Sequence, residues 1–189
     1  LPVVLKHGDG CWVWDEHGRR YLDMMSAFSA VSHGHAHPRI VGALVAQAQQ
    51  LAVTSRVFHN ELLPAFLQRL AEVTGLDRAL PANGGAEAVE TALKAARKWG
   101  HKIKGIPADR AEIIVIVGFS SEAQYRDGFG PFPPGFRQIP FGDADALARA
   151  IGPHTAAFLV EPIQGEGGIV VPPAGYLARC ERICRERNV

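Results

Sequence analysis

The spacing of apolar residues changes character along the chain. Residues 3–5, 11–14 and 19–22 are short β-prone runs, separated by Gly8-Asp9-Gly10 and by Asp15-Glu16-His17-Gly18. The second separator predicts a hairpin turn, because Gly18 can take the positive φ that tight turns require. A small antiparallel sheet follows, with Trp12, Trp14 and Tyr21 expected as its aromatic cross-strand pairs. After Pro38 the period becomes helical, and Ile40, Val41, Leu44, Val45, Ala48 and Leu51 fall on one stripe. A second helix is predicted after an N-cap at Asn60. Its stripe is Leu62, Leu63, Phe66, Leu67, Leu70 and Val73, its stop is Gly75, and Pro64 is early enough to kink it without breaking it. The third spans 86–99 and ends at Gly100, with Glu90 and Lys94 as an i, i+4 pair on its outer face.

Beyond residue 100 the run 113–117 is continuously β-branched, as in a strand buried on both faces, and 158–160 is a second apolar strand. Helices are predicted over 143–151 and 175–187. Strands alternating with helices indicate a parallel α/β layer. The predicted organisation is a small mixed α/β segment, residues 1–52, followed by the first part of a larger α/β domain, residues 53–189, incomplete at its C-terminus.

A hydrophobic share of 47% and a charged share of 21% are ordinary for a globular protein. The formal net charge of +1, with no long run of one sign, gives no support to a nucleic-acid or anionic-membrane partner. No apolar stretch approaches the roughly 20 residues of a membrane span. Cys11, Cys180 and Cys184 are too scattered for a disulfide framework and lack zinc-site spacing, so three free thiols in a reducing compartment are expected. The start Leu1-Pro2-Val3-Val4 has neither Met nor a targeting core, which predicts a cytoplasmic protein whose N-terminus lies upstream.

Four segments could carry chemistry. In Asn83-Gly84-Gly85-Ala86-Glu87 two glycines precede a strong helix, leaving bare amides at its positive end. A phosphate site and a plain glycine-rich helix start both fit; the dinucleotide fingerprint and the P-loop do not, because their spacings are absent. In Val160-Glu161-Pro162-Ile163-Gln164-Gly165-Glu166 a strand ends in a carboxylate and a glycine-rich loop, the place where ligands collect in open α/β sheets. Solvated loop glutamates are the alternative there. His33, His35 and His37 have a superficially metal-like spacing, but Gly34 and Pro38 break regular extension and no acidic or cysteine cluster accompanies them. Turn and helix-capping roles are expected, and no metal. Residues 127–136, rich in Gly, Pro and Phe, read as a packed loop.

In order along nearly the whole chain, these segments resemble the class III, or subgroup II, pyridoxal-phosphate-dependent aminotransferases, most of all those of the ornithine type. The matching stretches are Gly10-Cys11-Trp12-Val13-Trp14-Asp15, Ser32-His33-Gly34-His35-Ala36-His37-Pro38, Thr54-Ser55-Arg56, Gly85-Ala86-Glu87-Ala88-Val89-Glu90, Ala96-Arg97-Lys98-Trp99-Gly100, Asp127-Gly128-Phe129-Gly130-Pro131-Phe132 and Glu161-Pro162-Ile163-Gln164-Gly165-Glu166. The resemblance implies part of a fold type I α/β transferase that works as a homodimer. It implies pyridoxal 5′-phosphate held at Gly84, Gly85 and Ala86, Glu166 pairing with an active-site arginine in the substrate pocket, and Glu161 supporting it from behind. The implied reaction moves the ω-amino group of ornithine through the cofactor to 2-oxoglutarate.

Four departures qualify this. The lysine that holds the cofactor as a Schiff base has no counterpart among Lys6, Lys94, Lys98, Lys102 and Lys104, so the 189 residues alone are expected to be inactive. About ten residues of a family loop are missing near Val115-Ile116. Phe28 stands where the family has a substrate-contacting tyrosine, a loss of one polar contact worth about 1 kcal/mol. Gly84 replaces a threonine beside the phosphate. The alternatives are another ω-aminotransferase of the acetylornithine or 4-aminobutyrate type, or a non-catalytic fragment.

Overall fold

The computed structural model describes residues 2–55, 57–115, 133–165 and 168–189. The chain divides into two compact units, Leu1–Ala79 and Leu80–Val189. This division falls after the second long helix, later in the chain than the boundary at 52/53 expected for the complete fold. No helix among the described residues is long and apolar enough to cross a membrane.

The first unit opens with an antiparallel sheet of β1 (Leu5–Asp9), β2 (Trp12–Asp15) and β3 (Arg20–Leu22), in that order. The predicted turn closes β2 onto β3. Gly18 has φ +79°, and Asp15, 3% exposed, accepts hydrogen bonds from the amides of His17 and Arg19, from Arg19 Nε and from the Tyr21 hydroxyl. Burial works to raise the Asp15 pKa, but these hydrogen bonds, led by Arg19, outweigh it and hold the carboxyl well below the usual carboxylate range.

Two expectations need correction here. The first strand runs over Leu5–Asp9 instead of 3–5, so Gly8 and Asp9 are paired and the turn moves to Gly10 and Cys11. The aromatic pairs do not form either, because Trp12 faces Leu22, Val13 faces Tyr21 and Trp14 faces Arg20. Alternation sends Tyr21 to the face of Val13 and Asp15. Trp12 instead stacks under the Arg20 guanidinium, 4.2 Å from its ring centroid, and Trp14 meets the His7 ring at 5.0 Å.

After β3 comes α1 (Ser26–Ser29), a single turn in which all four residues have positive φ, between 47° and 70°. Left-handed geometry costs an L-residue roughly 1–2 kcal/mol, so this glycine-free turn stores strain on the order of several kcal/mol. Two regular helices follow, α2 (Pro38–Leu51) and α3 (Leu62–Thr74). Pro38 opens the first. Asn60 Oδ1 caps the second by accepting from the amides of Leu62 and Leu63, and Gly75 ends it at φ +70°.

The second unit contains α4 (Gly85–Lys102), β4 (Glu112–Val115), β5 (Phe136–Gln138), α5 (Ala144–Ala150), β6 (Thr155–Leu159) and α6 (Tyr176–Glu186). The strands form a parallel sheet in the order β5-β4-β6. Ile114 is fully buried in a cluster with Leu147 of α5 and Tyr176 and Cys180 of α6. Asp143 starts α5 by accepting from the Ala146 amide at 2.8 Å. α4 packs against β4 and β6. Its Gly100 lies so close to the sheet that a Cβ there would sit 3.0 Å from Ala156 Cβ and 3.7 Å from Ala111 Cβ. Phe136, expected in the loop 127–136, instead begins β5; the rest of that loop up to residue 132, together with residues 116 and 117 of the predicted strand, lies outside the described residues.

Candidate functional site

Gly100, near the C-terminal end of α4, lies against Ala111, just before β4, and Ala156, the second residue of β6. The helix therefore runs back across the sheet, and its N-terminus projects toward the carboxyl ends of the strands. Eighteen residues at 1.5 Å each give a rise of about 27 Å, more than enough to carry that N-terminus past the strand ends. In an open parallel sheet this is the edge where ligands bind.

The chemistry of that N-terminus follows from what does not cap it. The N-cap position is Gly84, extended at φ −150° and ψ 167°, with no side chain capping the first turn. The first intrahelical bond runs from the Ala88 amide to the Gly84 carbonyl at 3.0 Å. The amides of Gly85, Ala86 and Glu87 thus precede the helical ladder and point outward from the positive end of the macrodipole. Nothing lies within 4 Å of where a Cβ on Gly84 or Gly85 would be, so a tetrahedral anion can approach the backbone directly. Glu87 reaches back to accept from the Asn83 amide at 2.9 Å, fixing the loop that enters the helix. That loop contact, one residue before the N-cap, escaped the sequence reading. A phosphate fits this arrangement; its carrier is not specified by the amides.

β6 delivers Glu161 to the same edge of the sheet, two residues past Leu159, where it is exposed. The segment after it turns back on itself through paired bonds between Gln164 and Val170. Glu166 lies outside the described residues.

Phe28 belongs to the first unit. It sits on the left-handed turn α1 and is 74% exposed. His33 is exposed, and His35 and His37 have different partners. His35 Nε2 meets Asp23 Oδ2 at 2.7 Å, His37 contributes its carbonyl to the Val41 amide and no side-chain cap, and its Nδ1 is buried without a partner. The expected capping role of His37 is therefore played by its backbone. No group of three His, Cys, Asp or Glu side chains converges on a metal-sized site among the described residues. Asp23, which the sequence reading passed over, also accepts from the amides of Met25 and Ser26 at 2.9 Å each. The hydrogen bond from His35, first among the causes, lowers its pKa, so the carboxylate is ionised and His35 Nε2–H donates.

Two lysines of the second unit, Lys94 and Lys104, are engaged elsewhere. Lys94 pairs with Glu90 at 3.0 Å. Lys104, whose pKa burial lowers, donates to the carbonyls of Thr155 and Asn188, at the amino end of β6 and away from the ligand edge. A cavity of about 300 Å³ lined by Arg97, His101, Arg110 and Glu112 lies at that same amino end.

Comparison with known proteins then gives these geometries a context. The family description "Aminotransferase class-III" matches residues 1–189. The chain is 53% identical to the ornithine aminotransferase of Bordetella pertussis over 200 positions, covering 100% of this chain and 49% of that protein. The match runs over 200 positions where this chain has 189 residues, as expected if a short family segment has no counterpart here. Among solved structures, the ornithine aminotransferase of Toxoplasma gondii superposes with a TM-score of 0.95 at 44% identity, covering the whole chain and 48% of that protein. A second structure of the Toxoplasma protein is described as showing partial occupancy of PLP at its active site. The acetylornithine aminotransferase of Elizabethkingia anophelis superposes with a TM-score of 0.88 at 47% identity, over 49% of its length. The chain spans about half the length of the curated relatives it matches.

Proposed function

The chain belongs to the class-III aminotransferases, and from that premise we propose that it is the N-terminal part of a pyridoxal-phosphate-dependent ornithine δ-aminotransferase. The observation that carries this reading is the uncapped, sterically open N-terminus of α4 at the carboxyl edge of the sheet, in a chain similar throughout to ornithine aminotransferases. When bound, the cofactor would supply an electron sink for proton removal beside the amino group and would carry that group from donor to acceptor.

The residues present have definable tasks. The amides of Gly85 and Ala86, with Gly84 leaving the approach open, hold the cofactor phosphate by hydrogen bonds aligned with the helix dipole. Glu87 fixes the entering loop through Asn83 and so keeps those amides in place. Phe28 presents an apolar ring to the amino-group end of the substrate. Glu166 neutralises an arginine that would otherwise attract an α-carboxylate, and Glu161 supports it. Residues 1–52 belong to the small domain and 53–189 to the first part of the large one. The complete protein is a cytoplasmic homodimer.

Phe28 also favours a second reading, an acetylornithine-type enzyme, because a ring without a hydroxyl discriminates less at the amino-group end. The test is steady-state transamination by the full-length protein with ornithine, N-acetylornithine and 4-aminobutyrate, each against 2-oxoglutarate. The leading reading requires the highest kcat/KM with ornithine. Preference for acetylornithine would replace it with the second. The 189 residues alone should show no turnover with any donor, and measurable turnover would overturn the assignment of the missing lysine.

A further inference from the structure

The left-handed turn that carries Phe28 is built without glycine, so something outside it must hold it. Its entrance is held by Asp23, whose Oδ1 accepts from the amides of Met25 and Ser26 at 2.9 Å each. Its exit is closed by the Ala30 amide on the Ala27 carbonyl at 3.2 Å and the Val31 amide on the Ser26 carbonyl at 3.1 Å. The second oxygen of Asp23 is fixed in turn by His35 Nε2 at 2.7 Å. Two backbone bonds with Gly10, 3.0 and 2.8 Å, tie His35 to the β1–β2 turn.

Glycines make that docking possible. A Cβ on Gly8 would stand 2.8 Å from His35 Cβ and Cγ, and one on Gly34 would stand 3.0 Å from Gly10 Cα. Gly34 also has φ +87°. The imidazole lies against Gly8, with its Nε2 on Asp23 Oδ2. Phe28 adds its own amide, which donates to the Met25 carbonyl at 3.1 Å, and the residue is 74% exposed. Strain concentrated under an exposed side chain and maintained by a separate clamp is the pattern expected when the position of that side chain has a task.

We propose that His35 and Asp23 are positioning residues for the amino-donor pocket: their contact, seated on Gly8, holds the left-handed turn that presents Phe28 to the amino-group end of the substrate. This rests on the reading of Phe28 as a substrate contact. His35 and Asp23 touch no reacting atom and act through the turn.

The experiment uses the full-length enzyme and measures kcat/KM separately for ornithine and for 2-oxoglutarate, which report the two half-reactions. His35→Ala should lower kcat/KM for ornithine about tenfold while that for 2-oxoglutarate changes by less than about twofold. His35→Gln, which retains a side-chain donor, should recover most of the loss. In a Phe28→Ala background His35→Ala should add less than about twofold, because a residue acting through Phe28 has nothing left to position. An equal loss in both half-reactions, or a loss that persists in the Phe28→Ala background, overturns the proposal. So does an unaffected His35→Ala beside an impaired Phe28→Ala, which would leave the substrate role of Phe28 standing. If Phe28→Ala alone leaves both half-reactions intact, it is the underlying reading of Phe28 that has failed. Should His35→Ala not fold, Gly8→Ala displaces the imidazole while keeping every hydrogen-bonding group, and must reproduce the selective loss for ornithine.

Discussion

In Leu80–Val189 the parallel sheet buries Ile113 and Ile114 completely, and Leu147, Tyr176 and Cys180 close over one face. In Leu1–Ala79 Val13 is the one buried apolar side chain among the described residues, and order depends on two carboxylates, Asp15 and Asp23, that gather backbone amides and the side chains of Arg19 and His35 around them. The apolar stripes of α2 and α3 remain exposed there, with Leu44 at 67% and Phe66 at 54%. The difference separates two ways of fixing a site. An apolar core holds the sheet and, through Gly100, the C-terminal end of α4. Polar clamps hold a strained turn whose own sequence would not keep it.

The largest effect that distinguishes the units is a cavity. Ile114→Ala should cost about 2–5 kcal/mol in urea denaturation, because the side chain has no exposed surface and its neighbours come from three elements. Leu44→Ala, on the exposed face of α2, should change the stability of the 189-residue chain by less than about 0.5 kcal/mol. Equal costs would mean that the stripe of α2 is covered in solution, and the contrast between the units would fail.

Acid should then act on the first unit more than on the second. The Asp15 pKa is depressed in the folded chain, so its contribution is fully present above the unfolded carboxylate value of about 3.9 and is lost as pH falls below it toward the folded value. Near-ultraviolet signals from Trp12 and Trp14, followed between pH 6 and pH 2 in about half-unit steps, should weaken only in the acid part of that range. Asp15→Asn should flatten this dependence and lower stability at neutral pH, since it removes the acceptor charge facing Arg19. A profile that is the same in the variant would assign the acid sensitivity to other groups.

What the sequence disclosed follows the same division. Local signals were legible: the Asp15–Gly18 turn, the Asn60 cap, the Gly75 stop and the glycine pair at the start of α4 all depend on neighbours within a few residues. The sheet in the second unit was visible because Ile113, Ile114 and Val115 of β4 are β-branched. β5 was hidden, since three residues after a Pro-Gly pair become a strand only by pairing with β4. The left-handed turn was hidden for a stronger reason: Ser26, Ala27, Phe28 and Ser29 carry no glycine to signal positive φ, and the Asp23–His35 contact that holds it spans twelve positions. Cross-strand partners also depended on register, which placed Arg20 and His7, not a second ring of the hairpin set, beside the tryptophans.

The smallest effect concerns the anion site itself. Gly84 is extended, so any L-residue can adopt its backbone, and open space surrounds its missing Cβ. Gly84→Thr should therefore fit without strain. Its hydroxyl has two competing uses. It can accept from the Ala86 or Glu87 amide as an ordinary N-cap, which would stabilise α4 by a few tenths of a kcal/mol over glycine. Alternatively it can donate to a bound phosphate, which at about 0.5–1 kcal/mol corresponds to roughly two- to fivefold tighter binding. With a phosphate present the amides are already taken by the stronger, charged acceptor, so the donor role should prevail. Fluorescence titration of the full-length protein with pyridoxal phosphate, before and after the substitution, should show that gain. A raised melting temperature with unchanged or weaker cofactor affinity would mean that the hydroxyl caps the helix instead, and that these amides are not where the phosphate is held.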